Sequence, residues 1–540
     1  MRRLGFFVAC ALTLLAPRLV VGQSELRFCL TSQPKTLNPI AVDDDASETI
    51  RYITGGVLIR LDRSTQQPVG ELATGWRINK AGNAISFTLR PNLRFSDGTP
   101  FTASDVAFTI ERLMDPDLHS PTGDSLRSKS GKVETRIADP FHVTVTFPAP
   151  VTGLERLFDQ VAIISAQSPK KFMAVLGPYY VAENKAGSYL LLKRNPNYWK
   201  RDQTGRQLPY IDSIRLDIQQ NRDKELLRFT RGEIDLINSL NPESFDLLKN
   251  RAPGMAFDAG VALDSEQIWF NQIPSSPLPD YKKAWFNSVH FRRAVSSAIH
   301  REDISRVVFH GYAQPAVSLI SPANKIWFDQ KLKPHAYDVK LALRELELDG
   351  FRLQGDTLRD RGGHPVEFSV ITNSGNKDRE RMAAMIQQDL RAVGIRLNMV
   401  TLDFPSLIER ITRTFNYESC LLGFVNDELD PNAQMSVWLS SADNHQWNPN
   451  QKKPATAWEA EIDRLMQEQA SALDATRRKR DIDRVQEIVW EQEPFIYLVN
   501  KHALSAVSPN VRNAHPVGLR PQVYWNIDQL AFATQPRRSQ

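Results

Sequence analysis

A chain with no internal repeat that leaves about 518 residues behind its N-terminal leader cannot be organised around one hydrophobic core, so two or three lobes are expected. The leader itself stands apart from the fold. Arg2 and Arg3 precede a run from Leu4 to Leu15 that is apolar apart from Gly5 and Thr13, and Val20-Val21-Gly22 offers a cleavage site after Gly22, with Arg18 unusual so close to it. The alternative, a retained membrane anchor, asks for roughly 20 apolar residues where this run has about 12. Phe7-Val8-Ala9-Cys10 loosely matches a lipoprotein box, but almost no apolar stretch precedes it, so lipidation at Cys10 is not expected.

The charge balance excludes several partners. The full chain carries 67 basic and 62 acidic residues, a formal charge of +5. Arg2, Arg3 and Arg18 leave with the leader, and the near-neutral remainder gives no reason to expect nucleic acid or an anionic membrane surface as partner. The mature part has no apolar run that would span a bilayer. Cys29 and Cys420 survive processing, nearly 400 residues apart; one bridge is conceivable in an oxidising compartment, but two buried free thiols are the expectation.

Strands and helices alternate irregularly. Glu25 to Leu30 reads as a strand, as do Ile85 to Leu89 and His142 to Phe147. Ser96-Asp97-Gly98-Thr99-Pro100 is a turn, followed by a helix with Thr102 as N-cap and Asp105 closing a capping box. The second half is richer in helix. Apolar spacing predicts one helix over 291–308 and another over 379–393, ended by Gly394, and the strand–helix–strand unit from Val366 to Val400 points to βαβ geometry. Two more helices are expected over 457–473 and 476–490, before a strand from Phe495 to Val499.

Five blocks, in order, resemble the extracellular solute-binding proteins of family five, the dipeptide- and oligopeptide-binding class. They are Leu72-Ala73-Thr74-Gly75-Trp76 with FTLRPNLRFSDGTPFTASDVAFTIERL (Phe87 to Leu113); Gly177-Pro178-Tyr179-Tyr180 with LLKRNPNYW (Leu191 to Trp199); Leu208-Pro209-Tyr210-Ile211-Asp212; Phe291-Arg292-Arg293-Ala294 through Arg301, with His300 where the family usually has Asp; and Gly423-Phe424 through Asp430-Pro431, with Phe424 where Trp is commoner. The resemblance implies an α/β, two-lobed periplasmic-binding-protein clamshell of type II with an extra subdomain inserted in lobe one. Lobe one would comprise residues 23–50, 175–268 and 495–540, the inserted subdomain 51–174, and lobe two 269–494, with crossovers near 268 and 494 as the hinge. It further implies a non-catalytic, periplasmic, monomeric protein without cofactor, which takes an oligopeptide or similar solute between its lobes and delivers it to the permease of an ABC importer.

The same resemblance nominates site residues. In peptide-binding relatives a carboxylate four residues before the proline of the last block holds the ligand's α-amino group; that position is Asp427, whose other reading is a turn or cap residue. Dipeptide-specific relatives place an arginine where this chain has Asn373, or its neighbours Thr372 and Ser374, so strict dipeptide specificity is not implied. Trp269, Phe270 and Phe424 are candidates for the cleft wall, with the core as their alternative.

Rival chemistry is thin. Gly123-Asp124-Ser125-Leu126 spells a serine-esterase motif, but about 100 residues into the chain and in a loop-like tract rather than behind a first strand. No HExxH, GxxxxGK or GxGxxG occurs. The remaining alternatives keep the fold and change the solute to an oligosaccharide or another small molecule, or make the chain a receptor that reports to a membrane sensor.

Overall fold

The computed structural model describes residues 24–533 apart from 119, 127–131, 169, 171–172, 319 and 425–428. The expected leader, the expected cleavage site and Cys10 therefore lie outside the described residues, as does Asp427.

The first core gathers around a four-stranded sheet. Glu25–Leu30 lies parallel to Ser213–Ile218, which continues antiparallel to Tyr189–Arg194 and then Tyr179–Lys185. Leu26, Phe28 and Leu30 alternate with less buried residues along the edge strand, as a half-buried strand requires, and pack with Leu192, Leu216 and Tyr524. A second core belongs to residues between Ile40 and Leu176, around an antiparallel sheet ordered Ala73–Ile78, Ala84–Leu89, His142–Thr146, Glu134–Asp139. The helix Ala103–Leu113 covers it. Its capping box forms as the sequence predicts: the Thr102 backbone N–H donates to Asp105 Oδ2 at 2.8 Å, and Asp105 Oδ1 accepts the Ala166 N–H, which explains how a carboxylate sits fully buried there.

The largest sheet has seven strands and joins the two halves of the molecule. Its path runs Leu236–Ile237, Phe495–Val507, Ala256–Phe270, Ser419–Phe424, Glu367–Asn373, Arg396–Leu402, with Ala313–Pro315 also paired to Phe495–Val507. Glu367–Asn373 and Arg396–Leu402 are parallel and flank the helix Lys377–Arg391, the βαβ unit that the sequence implies. Gly394 closes that helix at φ +75°, where a Cβ would also lie 2.7 Å from the Leu358 nitrogen. Phe270, Phe286, Phe291 and Phe368 fill one face of the sheet; Trp269, Trp438, Trp447 and Phe495 fill the other. Each such ring withdrawn from water contributes roughly 1.5–3 kcal/mol.

Two long antiparallel strands, Ala256–Phe270 and Phe495–Val507, serve both halves. Ala256 pairs with Ala506 beside the first core, whereas Trp269 pairs with Phe495 inside the tryptophan-rich core on the seven-stranded sheet. Between those ends the register slips three times, between Asp258 and Val261, Val261 and Ser265, and Glu266 and Gln267, with Gly260 at φ +81° in the first slip. Such bulges bend and over-twist a strand. The slips thus fall at 258–267, a few residues before the crossover expected near 268, while Trp269 and Phe495 are packed into the core of the seven-stranded sheet.

One helix expectation is corrected. The stretch 291–308 forms two helices, Val289–Ala298 and Arg301–Val307, because Ile299 is extended and the His300 ring accepts the Asp303 N–H at 3.2 Å as a new N-cap. The break lets the buried Arg301 turn back, donating to the Ser296 carbonyl at 2.8 Å and to Tyr497 O at 2.6 Å. A single apolar stripe conceals this, since both helices keep the same buried face. No described helix is long and apolar enough to cross a membrane.

Candidate functional site

A cavity of about 480 Å3 opens where the first core, the second core and the C-terminal segment meet. Such a volume lies in the range of small-molecule pockets. Leu30 and Thr31, at the end of the first strand, form its floor. Above them stand Asp44 to Tyr52 from the helix Asp45–Thr54, Pro121 and Leu126 from the short helix Pro121–Leu126, and Arg520 to Tyr524.

The wall alternates aromatic faces with paired charges. Tyr524 stacks on Phe28 with ring centroids 5.3 Å apart and shares a 3.0 Å hydrogen bond with Thr49; the Tyr52 hydroxyl donates to the Trp525 carbonyl. Arg63 donates to Asp159 at 2.9 Å, Arg51 to Glu48 and to Gln160, Arg222 to Glu225, and Arg520 to Asp264 at 2.9 Å. Burial works against the charge on Asp159, but Arg63 and Arg60 outweigh it and hold the carboxyl below its ordinary range. The four arginines on this wall are therefore already paired with carboxylates, while Asp43, Asp44 and Asp45 line it as well. It offers a solute ring faces, hydrogen bonding and an acidic edge.

Cys29 also touches the cavity, and its thiol is pushed up to about 12, chiefly by burial and then by Glu225. It is a poor nucleophile. Cys29 and Cys420 are free and lie in different cores, Cys420 buried as expected and Cys29 only partly so. The Gly123-Asp124-Ser125-Leu126 sequence proves to be part of a helix, not a loop. Gly123 is there for packing: a Cβ at that position would lie 2.3 Å from the Leu113 carbonyl oxygen.

The site residues named from sequence lie elsewhere. Trp269 and Phe270 are each 1% exposed and point to opposite faces of the sheet, Trp269 donating its ring N–H to the Tyr417 hydroxyl and Phe270 stacking on Phe286. Both are core residues, not cleft wall, because strand alternation in a sheet covered on both faces buries either parity. Phe424 is half-buried with its ring edge against Phe495, and Asn373 accepts a hydrogen bond from Arg379 Nη1 at 2.8 Å. Neither lines the cavity.

Asn373 nonetheless marks a charged cluster that sequence reasoning missed. Arg379 reaches past it to Glu266, Nε to Oε2 at 2.8 Å, and Lys501 donates to the same carboxylate at 3.0 Å. Burial opposes the charge on Glu266, yet Lys501 and Arg379 hold it below the usual carboxylate range. Gly423 leaves the space for this pair: a Cβ there would stand 2.7 Å from Glu266 Oε1 and 2.8 Å from Arg379 Nη2. Opposite charges inside two long, largely buried strands, at Glu266 and Lys501, were the available signal.

The geometry has counterparts among known proteins. The family "Bacterial extracellular solute-binding proteins, family 5 Middle" matches residues 67–446. The oligopeptide-binding protein AppA of Bacillus subtilis is 22% identical, over 87% of this chain and 85% of its own length. The glutathione-binding protein GsiB of Salmonella paratyphi A is 24% identical, over 88% and 89%. The crystal structure of the ABC transporter substrate binding protein CtaP from Listeria monocytogenes superposes with a TM-score of 0.80 at 22% identity, covering 95% of this chain and all of that one.

Proposed function

Since the chain belongs to the bacterial extracellular solute-binding proteins of family 5, we propose that it captures a peptide-like solute between its lobes and hands it, unaltered, to an ABC importer. The observation that carries this reading is the cavity of about 480 Å3, roofed by three separate stretches of chain and joined to the other lobe through two bulged strands. The lining comes from lobe one and its inserted subdomain, so a solute that reaches from there to the other lobe gains contacts on closure, and those differential contacts shift the population toward the closed form. Driving a 1:99 equilibrium to 99:1 takes about 5.5 kcal/mol of such preference. Backbone hydrogen bonds and ring faces supply it without reading side chains, which suits a peptide of mixed sequence. AppA and GsiB, named for an oligopeptide and for glutathione, support the peptide class.

In the same reading the protein is exported through cleavage after Gly22, acts as a monomer in the periplasm and performs no catalysis. Lobe one and its inserted subdomain hold the floor of the site, and Asp427 anchors the solute's amino group. Mass spectrometry of what the purified protein releases on denaturation tests the class. Peptides of mixed sequence support it; a single saccharide or a metal chelate overturns it. The Asp427 anchor is tested by calorimetry with free and N-acetylated forms of a released peptide: Asp427→Ala should weaken the free form about tenfold or more. Equal affinity for the two forms removes the anchor.

A further inference from the structure

The inserted subdomain is tied to the far lobe at two points that do not line the cavity. At the first, Thr152 lies against the C-terminal end of the helix Ala457–Ser471, whose last carbonyls have no partner within the helix. The Thr152 hydroxyl stands 3.0 Å from the Ala470 carbonyl oxygen and 3.1 Å from that of Ala472, and its backbone N–H also faces Ala470 O. Next to it, Gly153 at φ +67° sits directly on the Arg478–Asp430 ion pair. A Cβ there would lie 2.5 Å from Asp430 Oδ2. Arg478 is itself fixed by two bonds to Asp430, one to Gln469, and the face of Trp327. Leu473, 54% exposed, rests where a Cβ of Gly82 would be. At the second point the Gln66 side chain, buried at φ +61°, donates to the Ala323 carbonyl at 2.7 Å and accepts the Lys325 N–H.

These contacts share a logic. Orphan carbonyls at a helix end, and a largely buried ion pair approached closely by a glycine, form a receptor for the turn at 151–153. The partner is not a solute but the subdomain itself. The two strands that join the lobes lie elsewhere, so a swing about them that carries the far lobe away from the inserted subdomain must part these contacts.

We propose that Thr152, Gly153 and Gln66 form a clasp that stabilises the closed arrangement independently of the solute, so that the inserted subdomain sets the resting balance between open and closed forms. This rests on the solute-capture reading for its purpose, but its test needs no solute. Small-angle scattering is recorded on protein stripped by unfolding and refolding, for the natural chain, for Thr152→Val, and for Leu473→Asp. Losing one net hydrogen bond of about 1 kcal/mol should raise the open-to-closed ratio about fivefold, seen as a larger radius of gyration for both variants with unchanged circular dichroism. Superimposable curves for all three proteins overturn the clasp and leave the capture reading standing. A natural chain that releases no solute on denaturation and binds none strikes at the capture reading instead, and the scattering comparison still judges the clasp.

Discussion

Arg379, near the start of the helix Lys377–Arg391, donates to Glu266 in the crossing strand at 2.8 Å, and the carboxylate is only 2% exposed. The bond pins the βαβ unit to the strand that links the lobes. Glu266→Ala leaves the largely buried guanidinium without its counter-charge, keeping only the bond to Asn373, and should cost about 3 kcal/mol in urea unfolding. Lys501, one-third exposed, can turn to water. Replacing both ends, Glu266→Leu with Arg379→Met, should therefore recover most of the loss. A double variant as unstable as the single one would contradict this account.

Gly423 gives an independent measure of the same packing. Gly423→Ala places a methyl against Glu266 and Arg379, neither of which can retreat without breaking its hydrogen bond. Overpacking of this kind costs about 1–3 kcal/mol. The fall in denaturation midpoint should shrink when the change is made on the Glu266→Leu/Arg379→Met background.

Acid should act on lobe two through Glu459. This carboxylate caps its own helix through Thr456 and accepts bonds from His445, Trp447 and Gln451. Burial alone would raise it, but the His445 bond and the others bring it down from 4.5 to about 2. A depressed carboxylate contributes fully above its ordinary value and loses its contribution as pH falls toward the folded one. The stabilisation should thus be present above pH 4.5 and vanish near pH 2, on the order of 3 kcal/mol. Urea midpoints of Glu459→Gln and the natural protein should lie apart at pH 7 and converge near pH 2; a constant gap would refute the linkage.

Neither cysteine should react while the chain is folded. Burial raises the Cys420 thiol well above its ordinary value and takes Cys29 to about 12, so little thiolate exists at pH 8. A chromogenic disulfide reagent should titrate no thiol in buffer and two in urea.

Local patterns carried most of the secondary structure. The Thr102–Asp105 box, the strand at Glu25 and the βαβ unit each rest on residues within a few positions of one another, and those contacts are what a sequence displays directly. The break at Ile299 escaped because its cause is distant: Arg301 must meet Tyr497, nearly two hundred positions on. The cavity wall escaped for the same reason, since Thr31, Tyr52, Leu126 and Tyr524 share no spacing and meet only when the sheets assemble. Trp269 and Phe270 misled because an aromatic beside a crossover looks the same on paper whether it faces a cleft or a sheet covered on both sides. The five family blocks were legible because they are contiguous; what they hold was not.

The two long strands are hydrogen-bonded to each other along most of their length, through the slips at 258–267. A pair of separate tethers would let the halves wander in any direction. A paired ribbon bends and twists along one preferred path while resisting shear and sideways splay, so each swing returns the same surfaces to the same register. Reproducible docking of two large bodies is thereby built into a strip of backbone two chains wide.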